Sequence, residues 1–114
     1  MTNLLGPAEL RPMVEAVIAA HPDAINPMDG EGRCLYTDMG NPDHHCVVGQ
    51  LAADAGWGVP GPFSTDGADW AALDFEWPVS DDGRKFLSDV QDLADRASMN
   101  GEPWSTIEIP EVPA

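Results

Sequence analysis

A chain of 114 residues with 43% hydrophobic content supports one core and excludes both a disordered acidic tail and a two-domain protein. Twenty acidic residues against five basic ones give a net charge of −15, which disfavours direct contact with nucleic acid or an anionic membrane and favours a basic partner. No run approaches the ~18 apolar residues of a membrane span, the N-terminal stretch lacks the basic region of a secretory signal, and two cysteines without an export signal read as thiols, so a cytoplasmic protein is expected.

In chain order, the first helix is expected over residues 11–20, with Pro12 in its first turn and Val14, Val17 and Ile18 on one apolar face beside Met13. Pro22 stops it, and HPDAINPMDGEG is a loop. GRCLYTD reads as a strand with Cys34 and Tyr36 on one face, and MGNPD as a turn. Asp43 is placed to cap a helix through CVVGQLAADAG that buries Val47, Val48, Leu51 and Ala52 and ends at Gly56 or Gly58. Gly49 weakens that helix by about 1 kcal/mol unless something packs closely against it.

WGVPGPFSTDG is irregular, and ADWAAL suggests a short helix with Trp70 and Leu73 facing inward. The clearest element follows. Ser80 caps a helix in which Phe86, Leu87, Val90, Leu93, Ala94 and Ala97 recur at three and four, and Asn100-Gly101 stops it. Residues 102–114 form a C-terminal extension in which Trp104 closes the core and TIEI alternates like a short strand. The expected fold is a single α+β domain, mostly α, with about three helices and a short strand or β-hairpin.

CLY, CVVGQL after a turn, and FLSDVQDLADR followed by PW together resemble a family of small uncharacterised acidic proteins of actinobacteria and their phages, over residues 33–104. The resemblance implies a compact fold and a bacterial or phage setting, and carries no catalytic residue with it. STIEIPEV, with Pro110, departs from the further helical turn that such proteins place after the tryptophan.

CLYTDMGNPDHHC holds both cysteines and two of the three histidines. Cys34, His44 and Cys46 are ligand types for structural zinc, with a fourth needed from His21, Asp38 or Asp43, but the first arm offers one ligand instead of a two-ligand knuckle. His45 points away from its neighbours in an extended segment. A Cys34–Cys46 disulfide needs Cα atoms within about 7 Å and an oxidising compartment. A catalytic Cys46 thiol needs a positioned base, for which His21 is the distant candidate. The favoured reading is a strand–turn–helix corner, with Cys34 and Cys46 packed beneath Tyr36 and with His44 and His45 in solvent.

The acids are uneven. Residues 66–95 hold nine of them and two bases: Asp66, Asp69, Asp74, Glu76, Asp81 and Asp82 cluster around the short helix, and Asp89, Asp92 and Asp95 follow on the long one. Lys85 four before Asp89, and Asp92 four before Arg96, are the marks of an ordinary ion-paired surface. Spread evenly, the charge comes to roughly one per 400 Å², about four times more dilute than duplex DNA, so a DNA mimic must concentrate its acids. Trp57 and Trp77 flank proline-rich loops and read either as exposed anchors or as covers for loop edges.

The reading adopted is a non-enzymatic binding or effector protein without a cofactor, an inhibitor or DNA mimic in kind. It engages a basic host protein through Asp66, Asp69, Asp74, Glu76, Asp81, Asp82, Asp89, Asp92, Asp95 and Trp77. The alternative is a domain with structural zinc at Cys34, His44 and Cys46, and the residual one is a thiol enzyme using Cys46.

Overall fold

The computed structural model describes residues 4–27, 36, 44–59 and 68–110. Among the described residues four helices carry the architecture: α1 (Pro7–Ala20), α2 (Val47–Asp54), α3 (Ala68–Asp74) and α4 (Asp81–Met99), followed by a 3-10 turn over Trp104–Thr106. The fold is mostly helical. Among the described residues there is no strand. A single-residue parallel bridge pairs Leu5 with Val79, through Leu5 N–H to Pro78 O at 2.8 Å and Ser80 N–H to Leu5 O at 2.9 Å. The strand expected over GRCLYTD falls outside the described residues except at Tyr36. TIEI is corrected: Thr106 ends the 3-10 turn and 107–110 run on without pairing into a ladder.

Capping explains where the helices start. α1 begins four residues earlier than expected because Glu9 Oε2 accepts the N–H of Gly6 at 3.0 Å and Pro7 fits the first position. Pro12 therefore lies in the second turn, where its missing N–H forgoes a helical bond, and it stays on the exposed side. α2 is capped by Cys46, not Asp43: the Cys46 Sγ accepts from Gly49 N at 3.3 Å. Ser80 caps α4 as expected, with Gly83 N donating to its Oγ at 3.0 Å.

Three of the endings share one geometry. After α2, α3 and α4 the chain turns through a left-handed residue, Gly56 (φ +77°), Glu76 (φ +53°) and Gly101 (φ +73°). The next N–H then reaches back five residues: Trp57 to Ala52 O at 2.8 Å, Trp77 to Ala72 O at 2.9 Å and Glu102 to Ala97 O at 2.8 Å. This is the Schellman arrangement, which satisfies carbonyls that a helix end leaves open. Glycine adopts a left-handed conformation without penalty; Glu76 does not.

The core lies where α1, α2 and α4 meet. Leu10, Val14 and Val17 from α1 pack with Val47, Val48, Leu51 and Ala52 from α2 and Phe86, Leu87, Val90 and Ala94 from α4. Trp104, 1% exposed, closes it. α3 packs on α4, and Ala71 and Ala72 are its buried side. Leu73 is corrected to the outside, at 52% exposure.

Candidate functional site

The cysteine–histidine stretch builds a corner held by backbone carbonyls. Cys46 is a fully buried free thiol at the start of α2. His44 Nε2 lies 2.8 Å from Ile25 O and His45 Nδ1 lies 3.0 Å from Tyr36 O. A carbonyl can only accept, so His44 carries a proton on Nε2 and His45 one on Nδ1. Both histidines are half-buried, which corrects their expected place in solvent. The Tyr36 carbonyl also explains Gly49: a Cβ there would come within 2.7 Å of that oxygen.

Among the described residues no three His, Cys, Asp or Glu side chains gather as a metal shell. Cys34 lies outside the described residues, and with it the contact expected between Cys34 and Cys46 and the completion of the Cys34–His44–Cys46 set.

Sequence reasoning passed over Asn26, which organises the centre of the molecule. At 3% exposure, its Oδ1 accepts from Val47 N at 3.1 Å and Trp104 Nε1 at 2.8 Å, while its Nδ2 donates to Asp95 Oδ1 at 2.8 Å. Its backbone N–H donates to Ser98 Oγ at 2.9 Å. One side chain thus joins the 21–27 segment to α2, α4 and the C-terminal turn. The one available signal was indirect: a loop that runs inward must carry a residue able to satisfy buried backbone donors.

The acids expected to form one face divide into two groups. Asp66 and the side chain of Asp69 lie outside the described residues. Asp81 pairs with Arg84, Asp89 pairs with Lys85 at 3.0 Å, and Asp95 is held by Asn26. Asp81, Lys85, Asp89, Asp92 and Arg96 follow at helical spacing along α4, a stripe of mixed sign and not an acidic one. Asp74, Glu76, Asp82 and Asp92 are exposed, and no ion pair involves them among the described residues.

Three of those four fall between residues 74 and 82, where α3 turns into α4. The same corner exposes Leu73 at 52% and Phe75 at 43%. Trp77 is corrected from exposed anchor to support: it is 5% exposed, donates from Nε1 to Gly58 O at 2.7 Å and tilts against Trp57 at a centroid distance of 5.8 Å. Trp57 and Trp77 each follow the left-handed residue that ends a helix, so the two helix ends are joined beneath the corner.

No protein-family model, curated protein or solved structure matches this chain.

Proposed function

We propose that the chain is a non-enzymatic acidic effector, of bacterial or phage setting, that engages a basic host protein through the corner between α3 and α4. The observation that carries this reading is the juxtaposition of Asp74, Glu76 and Asp82, exposed and without ion pairs among the described residues, with the exposed Leu73 and Phe75. Unpaired surface carboxylates of one sign steer a cationic partner, and exposed apolar side chains among them supply contact area once it arrives. Nucleic-acid-binding proteins fall within this partner class. With a surface of 6249 Å² the net charge averages roughly one per 400 Å², so mimicry of DNA would be confined to this corner and not extend over the molecule.

A tagged pull-down from an actinobacterial lysate, eluted in salt steps and run beside the Asp74→Asn, Glu76→Gln, Asp82→Asn triple variant, tests the reading. A basic protein is expected to be retained by the native chain, released by moderate salt and lost with the variant. Equal retention by the variant would move the interface away from the corner. Absence of any basic protein at low salt would overturn the effector reading itself.

A further inference from the structure

Between α1 and α2 a groove of about 210 Å³ opens to solvent. Met13, Ala16 and Val17 form one side of it, and Leu51, Asp54 and Ala55 the other. Its floor is apolar, since Val17 and Leu51 are 3% and 2% exposed. Asp54 is the one charged residue in the lining. Gln50 Nε2 donates to its Oδ1 at 2.8 Å and fixes the carboxylate at the rim.

Asp54 is poorly placed for the helix that carries it. As the last residue of α2 it stands at the negative end of the helix dipole, where an acid is disfavoured. Neither α1 nor α2 has a basic residue in its last turn to offset it. Arg11, the base of α1, is engaged by Glu15 and by the carbonyl of Pro110. The i,i+4 hydrogen bond from Gln50 is the local stabilisation of the carboxylate, and a cationic guest in the groove would supply the opposite charge that the helix end lacks.

We propose that the groove receives a lysine or arginine side chain of a partner protein, its aliphatic stem on Met13, Val17 and Leu51 and its cationic head at Asp54. The volume supports this assignment: pockets for drug-sized ligands run from about 300 Å³ upward, so the groove has room for one extended side chain. Long cationic side chains bury their stems while keeping the head near water, which matches an apolar floor with a charged, exposed rim. A purely apolar guest would gain nothing from Asp54. An acidic guest would be repelled by it, by the helix end and by the net charge of −15. This site is built from α1 and α2 and stands without the α3–α4 corner.

The test titrates the full chain with n-butylguanidinium, which reproduces the arginine side chain, and with n-butylurea, its neutral counterpart, following backbone amide signals by NMR. The guanidinium is expected to shift Ala16, Val17, Leu51 and Ala55 saturably, with the urea at least tenfold weaker. Asp54→Asn should bring the guanidinium down to the level of the urea while leaving the rest of the spectrum in place. A blocked pentapeptide with a central arginine should keep the preference over its citrulline counterpart. Equal binding of guanidinium and urea, or shifts confined to Asp74, Glu76 and Asp82, would overturn the proposal. Loss of the preference in the peptide pair would assign the groove to free small cations and overturn the protein partner.

Discussion

Asn26 and the α3–α4 corner use polarity in opposite ways. Asn26 is buried and makes bonds through Oδ1, Nδ2 and its backbone N–H to three separate parts of the chain. Leu73, Asp74, Phe75 and Glu76 are four consecutive exposed residues, and the last of them stands in a left-handed conformation. A polar group removed from water must be satisfied or it penalises folding, so its partners are architecture. An exposed carboxylate is solvated by water and needs no partner for the chain to fold. The difference separates residues that hold the structure from residues available to another molecule.

The comparison breaks most visibly at Asn26. Asn26→Leu leaves the Val47 N–H and the Trp104 Nε1–H without their acceptor in a buried site, and Asp95 loses a donor. With each orphaned donor costing roughly 1–3 kcal/mol, a total loss of about 3–5 kcal/mol is expected. Urea unfolding followed by tryptophan emission measures it, with the emission of Trp104 moving to the red as the C-terminal turn loosens. The triple neutralisation at the corner should stay within about 1 kcal/mol of the native chain in the same assay. A comparable loss in both variants would erase the distinction.

Gly49 gives the next effect in size. Helix propensity alone predicts that Gly49→Ala stabilises α2 by about 1 kcal/mol. The new methyl would lie 2.7 Å from the Tyr36 carbonyl, which also accepts from His45, so relief of the overlap would disturb the corner that seats Cys46. A net loss of about 1–3 kcal/mol is expected, in line with overpacking of a close contact. Thermal unfolding decides the sign, and a gain would show that the Tyr36 segment yields easily.

Local signals in the chain carried much of this fold and little of the site. The amphipathic period of α4, its Ser80 cap and its Asn100-Gly101 end were all legible, because each depends on neighbours in sequence. So was the close approach at Gly49, as a condition: a glycine inside a helix asks for a neighbour, although the neighbour's identity as Tyr36 O depends on tertiary packing. α1 started earlier than its apolar stripe suggested because Gly6, Pro7 and Glu9 form the cap. α2 took Cys46 as cap because a thiol can accept an N–H as an aspartate does. Asn26 was hidden in a loop of turn residues, and nothing local distinguishes an asparagine that enters the core from one that faces water. The Lys85–Asp89 pair was legible in its spacing, whereas the engagement of Asp95 was not, since its donor Asn26 comes from a loop 69 residues away.

Glu76 sharpens the comparison at its finest point. Its φ of +53° costs an L-residue roughly 1–2 kcal/mol, and the helix ends at Gly56 and Gly101 show the residue that avoids this cost. Glu76→Gly should therefore stabilise the chain by about 0.5–1 kcal/mol after allowing for the greater freedom of glycine in the unfolded state. The same change removes one carboxylate from the corner, so affinity for a basic partner should fall a few-fold, mostly through slower association. Glu76→Asp separates the two effects, because aspartate tolerates the left-handed region better than glutamate and keeps the charge. If stability rises in both variants and binding weakens only in Glu76→Gly, the strained glutamate is retained for its charge. If stability rises and binding is unchanged, Glu76 lies outside the contact surface, and Asp74 and Asp82 with Leu73 and Phe75 define it.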